Sequence, residues 1–196
     1  KAINNLLNNS DIDIDEIDYL ITATETEDYI SPGLSNVLID KLDFRKSIRH
    51  TNVTGMGCSS IITLLDLAED YLLRYPEKNI LLVLSVLSTS FYKNIFDIDK
   101  FYTIEEINND PKLYSNRKQH ISNWLNMIQI ILFADAASAI MISNKKRKGT
   151  KNYKLVKSYH LTNLYKNDSK LAYFQFIDGQ KNLFLDKKLP IKGVKY

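Results

Sequence analysis

The stretch Asn52-Val53-Thr54-Gly55-Met56-Gly57-Cys58-Ser59-Ser60 joins an extended run, Arg49 to Thr54, to a helical pattern running from about Ser59 to Tyr75. That pattern carries Ile61, Ile62, Leu64, Leu65, Leu67, Ala68, Tyr71 and Leu72. An apolar band this broad does not suit a surface helix with one wet face, so the spacing predicts a central helix. Pro76 ends it. Ile80-Leu81-Leu82-Val83-Leu84-Ser85 follows, a short continuous apolar run of the kind buried on both faces of a parallel sheet. Strand, helix and strand in that order give a layered α/β architecture, with Cys58 at the turn from strand to helix.

Upstream, Ile17 to Thr24 has the β-branched and aromatic content of a buried strand and opens into a polar loop. Ser31-Pro32-Gly33 punctuates the chain, and Leu34, Val37, Leu38 and Leu42 follow at helical spacing. The start at Lys1, already inside the apolar pattern Ala2, Ile3, Leu6 and Leu7, reads as the tail of a helix at a cut amino end. Downstream, residues 92–120 mix charge, Asn and one Pro and read as a long loop or insertion. Ile121 to Phe133 resumes a helical pattern. Ala137 to Ile142 reads as a strand, residues 144–151 as a turn, and Tyr153 to Leu161 as a partner strand.

A length of 196 residues holds a sizeable core and suggests one compact unit. With 44% hydrophobic residues the composition is that of a folded globular protein, and a net charge of +3 is too small to name a partner, so nucleic-acid binding is not expected. No window approaches the roughly 20 apolar residues of a membrane span, and no leader opens the chain, which points to the cytoplasm. Cys58 is the one cysteine, which excludes an internal disulfide and a multi-cysteine metal site.

Two glycines before that cysteine and a buried helix after it give it a physical route to reactivity. The free amides and positive end of the helix stabilise a thiolate, and the backbone at Gly57 and Ser59 is placed to donate to an oxyanion when a thioester carbonyl is attacked. The competing reading is a small hydrophobe packed in a core, the commoner fate of a lone cysteine. His50, His120 and His160 show neither metal-ligand spacing nor a fixed relation to Cys58, and read as surface or packing residues. Lys145, Lys146, Arg147 and Lys148 read as a solvated turn, and Asp11, Asp13, Asp15 and Glu16 as a loop without the glycine and terminal glutamate of a calcium site.

These residues also resemble a family. Asn52 to Ser60, then Leu65 to Leu72 and Asn79 to Ser85, are similar to the nucleophile region of chalcone-synthase-like type III polyketide synthases and plant 3-ketoacyl-CoA synthases. Leu132-Phe-Ala-Asp-Ala-Ala-Ser-Ala139 is similar to their second signature, Ser31-Pro32-Gly33 to the loop that reaches toward a dimer partner, and Gly179, Leu183, Leu185, Leu189 and Pro190 to the close of the first half. The resemblance implies an α/β thiolase-like fold, the chain being the amino-terminal layered α-β-α half of a five-layered αβαβα homodimeric enzyme. It implies that Cys58 takes an acyl group from coenzyme A, that malonyl-CoA supplies the carbanion, and that no resident cofactor or metal is needed. It implies an acyl pocket to which Thr24 and Phe91 contribute, although Phe91 lies one residue away from the spacing of the family's gatekeeping aromatic and reads equally as an ordinary core phenylalanine. The decarboxylating histidine and asparagine of that family lie in its second half, so residues 1–196 are expected not to condense alone.

Departures from the pattern are visible. Ser59 and Ser60 stand where small residues including glycine are usual, Val86 where many members carry glutamate, and Ala134 and Ala136 in a turn that ordinarily holds glycine. A glycine-requiring turn built on alanine would be strained by about 1 kcal/mol. Ketoacyl synthase III chemistry, fatty-acid elongation by a 3-ketoacyl-CoA synthase, and a non-catalytic dimerising partner remain the alternative readings.

Overall fold

The central strand of the molecule is β1 (Tyr19–Thr24), every residue of which is buried. In the computed structural model, which describes residues 1–27, 29, 31–91, 102–146, 152–157, 172–177 and 180–185, it is the second strand of a mixed sheet ordered β2-β1-β3-β4. β2 (Arg49–Val53) and β3 (Asn79–Val86) run parallel to β1, with Tyr19 opposite Arg49 on one side and Ile80 on the other. β4 (Ala136–Ser143) closes the sheet antiparallel to β3, Asn79 facing Ser143. The sheet is therefore mixed rather than wholly parallel.

Alternation along β1 explains the layers. Tyr19, Ile21 and Ala23 pack with Ile80 and Leu82 against Leu64, Ala68 and Leu72 of α3 (Ser60–Arg74). Leu20, between them, faces the other way, joining Leu81, Val83, Phe44 and Ile48 under Ile3 of α1 (Ala2–Asn8) and Leu38 of α2 (Leu34–Lys41). Helix, sheet and helix are thus stacked around two apolar layers. Each fully buried Leu or Ile contributes roughly 2 kcal/mol by area removed from water.

The helix predicted to be central, α3, buries a single stripe, Ser60, Leu64, Ala68 and Leu72, one residue every four. Leu73 is exposed, and Ile61, Ile62, Leu65 and Leu67 are partly covered. The broad band is real in sequence, but within this chain only the sheet-facing stripe is fully buried.

Asp18 fastens the start of β1 to both neighbouring connections. Its carboxylate accepts from Arg45 Nη2 at 2.6 Å, Lys78 Nζ at 3.0 Å and the Asn79 amide at 2.9 Å. Burial alone would raise its pKa, but hydrogen bonds from Asn79, Arg45 and Lys78 outweigh that and hold it below the usual carboxylate value. Lys78 is held above its ordinary value, first by its bond to Asp18. Burial pushes the Tyr71 phenol up, and that ring lies 4.8 Å from Tyr19, with Arg49 over both.

The chain groups into two compact units, residues 1–86 with 135–160, and residues 87–134 with 161–196. In the second, the stretch read as a loop holds two short helices, α4 (Ile104–Asn109) and α5 (Pro111–Ser115), before α6 (Arg117–Leu132) begins. Local capping explains them. Thr103 Oγ1 accepts from the Glu106 amide at 3.1 Å while Glu106 accepts from the Thr103 amide at 2.7 Å, which also holds the Glu106 carboxyl below its usual value. Asp110 caps α5, with Pro111 at its first position. Trp124 of α6 donates to the Tyr102 carbonyl at 2.8 Å.

A hairpin of β5 (Ala172–Ile177) and β6 (Gln180–Leu185), not anticipated from sequence, also belongs to the second unit. Tyr153 to Lys157, read as the start of a strand, is irregular and exposed, and 158–161 lie outside the described residues. The strain expected at Ala134 and Ala136 is absent, because Asp43 is the non-glycine residue with positive φ among the described residues and Ala136 simply opens β4.

Candidate active site

Parallel pairing brings three strand ends to one edge of the sheet. Ala23 is level with Val53 and Thr24 with Ser85, so the loops after β1, β2 and β3 leave side by side. Such an edge, beyond the carboxyl ends of parallel strands, is where open α/β sheets hold their ligands. The loop after β2 carries Cys58, which is exposed, in a 3₁₀ turn (Gly57–Ser59) that runs directly into α3. A small hydrophobe packed in a dry core, the alternative reading of this cysteine, is not what these residues form.

The turn needs its glycines. Gly55 and Gly57 hold φ of 76° and 55°, the left-handed region, with Met56 between them at φ −99°. The two serines after Cys58 tie the turn back on itself. Ser59 Oγ donates to the Met56 carbonyl at 2.6 Å and Ser60 Oγ to the Gly57 carbonyl at 2.7 Å. Hydroxyls standing where small residues are usual thus support the entry to α3.

Sequence reasoning missed the residue with the most contacts to this turn. Glu25, the residue after β1, accepts from the Gly57 amide at 2.8 Å, the Met56 amide at 3.0 Å and the Gly55 amide at 3.1 Å. The signal was available only through register, since a residue two past Ala23 faces a residue two past Val53 when the strands are parallel. Of the two backbone positions expected to face an oxyanion, the Gly57 amide therefore donates to Glu25, and the Ser59 amide donates to the Met56 carbonyl at 3.3 Å.

Thr24 is buried at the end of β1, where its hydroxyl accepts from the Thr26 amide at 3.1 Å. Phe91 ends a short 3₁₀ turn in the second unit, and its side chain lies outside the described residues. His50 is near the start of β2, the far end of that strand from Cys58, with Nδ1 3.1 Å from Ser35 Oγ. His120 lies in α6, edge-on to Tyr102, and neither ring nitrogen has a hydrogen-bond partner among the described residues. His160, Arg147, Lys148, Gly179, Leu189 and Pro190 lie outside the described residues. Lys145 and Lys146 are exposed after β4, and Asp13 and Glu16 cap each other around a 3₁₀ turn. No His, Cys, Asp and Glu cluster able to hold a metal occurs among the described residues.

Residues 1–95, which contain this turn, match the family described as FAE1/type III polyketide synthase-like protein. Over those residues the chain is similar to that family. The 3-ketoacyl-CoA synthase 16 of Arabidopsis thaliana is 26% identical over 201 aligned positions, covering 99% of this chain and 34% of the relative. The 3-ketoacyl-CoA synthase 4 of the same plant is 31% identical over 156 positions, covering 79% of the chain and 25% of the relative. Among solved structures, the type III polyketide synthase germicidin synthase of Streptomyces coelicolor superposes with a TM-score of 0.69 at 22% identity, over 97% of this chain and 42% of that one. The tetrahydroxynaphthalene synthase of the same bacterium gives 0.64 at 18% identity, over 97% and 46%. These likenesses establish the thiolase-like α/β fold. The chain spans about a third and a quarter of these two plant relatives and under half of these two solved enzymes.

Proposed function

We propose that this chain carries the nucleophile of a condensing acyltransferase, Cys58 being the residue that holds the growing acyl group. The supporting observation is the placement of an exposed cysteine on a two-glycine turn, at the carboxyl edge of three parallel strands and two residues before α3 begins at Ser60. In the reaction the Cys58 thiolate attacks the carbonyl of an acyl-CoA, the carbon–sulfur bond to coenzyme A breaks, and the coenzyme leaves as its thiolate. Malonyl-CoA then loses carbon dioxide. The resulting enolate carbon attacks the Cys58 thioester, forming the new carbon–carbon bond and releasing Cys58. A cysteine thioester suits this sequence because it is reactive toward a carbanion, and thiolate is a good leaving group.

Within that scheme, Thr24 is a pocket residue, the protein works as a homodimer in the cytoplasm, and it needs no resident cofactor beyond its coenzyme A thioesters. The histidine and asparagine that promote decarboxylation belong to the second half of such an enzyme. No helix among the described residues is long and apolar enough to cross a membrane.

The test is incubation of the full-length protein with radiolabelled acyl-CoA and malonyl-CoA, followed by mass spectrometry of the Cys58 peptide. An acyl adduct that vanishes in Cys58→Ala, together with a condensed product, is expected. Absence of both would leave the non-catalytic partner as the better reading.

A further inference from the structure

We propose that Glu25 is a positioning residue for the nucleophile turn, a built-in anion whose carboxylate gathers the backbone of residues 55–57 and so sets where Cys58 stands. The inference rests on the reading of Cys58 as acyl acceptor. Its geometric half stands on the chain alone.

Consecutive amides in a turn with left-handed residues point inward together and form a concavity that favours an anion. Here Gly55 and Gly57 supply the left-handed residues, and the amides of Gly55, Met56 and Gly57 converge on one side chain. The division of labour is unequal. Oε1 of Glu25 accepts from Met56 and Gly57, while Oε2 accepts from Gly55 alone. Bonds from amides to an ionised carboxylate are stronger than those to a neutral acceptor. Glycines on either side of Met56 would otherwise leave residues 55–57 a permissive stretch of backbone, immediately before the sulfur.

The anchor itself is well held. Glu25 follows β1, which is buried along its whole length, and the adjoining loop is fixed by the Thr24 and Thr26 hydroxyls 3.2 Å apart and by the Asn52 amide donating to Glu27. A carboxylate on a rigid strand end therefore steadies a flexible turn on its parallel neighbour. Supporting groups of this kind fix a reacting atom without touching it.

The asymmetry makes the proposal testable by amide hydrogen exchange on the full chain. Glu25→Gln retains one acceptor oxygen, so Met56 and Gly57 are expected to keep their protection while Gly55 loses about tenfold. Glu25→Ala is expected to lose protection at all three, and Glu25→Asp, one methylene short, to resemble it. In parallel, the rate of Cys58 acylation by acetyl-CoA is expected to fall about tenfold in Glu25→Ala and less than about threefold in Glu25→Gln, in line with the oxygen retained. Circular dichroism and melting curves confirm that the variants fold, and should Glu25→Ala unfold, the Gly55 against Met56 and Gly57 split in Glu25→Gln decides. Unchanged exchange at residues 55–57 in the variants overturns the proposal, as does faster acylation in Glu25→Ala, which would make the carboxylate an obstruction. Loss of protection in the variants, with a wild-type chain that is never acylated, leaves the gathering role standing and refutes the acyl-acceptor reading instead.

Discussion

Replacing Asp18 by Asn removes the charge from a hub and leaves its shape. The carboxylate, whose side chain is 11% exposed, pairs with Arg45 and Lys78, and both cations are about one third exposed. Solvent screening at the cations weakens both pairs. The amide oxygen of Asn continues to accept from the Asn79 amide, so the expected loss is about 1–2 kcal/mol. For a chain of this length that is a fall of roughly 3–6 °C in melting temperature. Asp18→Ala also strands the Asn79 amide and raises the loss to about 2–4 kcal/mol.

The sign of the pH dependence follows from the depressed pKa of Asp18. Its contribution is fully present above the ordinary carboxylate range and is lost as pH falls through the lowered folded-state value. Melting curves of wild type and Asp18→Asn should therefore differ near neutral pH and approach each other as the pH falls below the ordinary carboxylate range. A gap that stays as wide in acid as at neutrality, or no gap at all, refutes the reasoning.

Leu64→Ala empties a fully buried position between α3 and β1 and is expected to cost about 2–5 kcal/mol, read as a lower urea midpoint with unchanged slope. Two glycine replacements separate backbone strain from crowding. Gly57→Ala meets no atom within 4 Å but must hold φ at 55°, so about 1 kcal/mol of strain is expected, with slower acylation of Cys58 as its local readout. Gly33→Ala carries no such strain, yet its Cβ would lie 2.9 Å from Asn52 Nδ2, displacing a side chain bonded to Thr22 and Glu27. It is expected to lower stability and leave the rate of Cys58 acylation within about twofold.

The parts of the fold legible in sequence are those whose pattern is set by burial. Ile80 to Leu84 is apolar without interruption because β3 lies between two strands and under two layers of helix. Leu34 to Leu42 shows its helix because one face alone meets the sheet. The cysteine turn was legible because positive φ demands glycine. The start of α6 was not, since Arg117-Lys118-Gln119-His120 carries no apolar period, and α4 and α5 are held by caps rather than by a stripe. Glu25 was invisible for another reason. Its role arises from the register between two strands, which no local pattern encodes.

The place of β1 in the sheet also bears on how the molecule is made. A ribosome releases this strand early, yet its hydrogen-bonding edges match Arg49 onward on one side and Ile80 onward on the other, and the outer strand facing Asn79 comes only with Ser143. A strand destined for full burial thus waits uncovered in the nascent chain while distant segments are synthesised, a long-range closure that slows folding and exposes a sticky edge meanwhile.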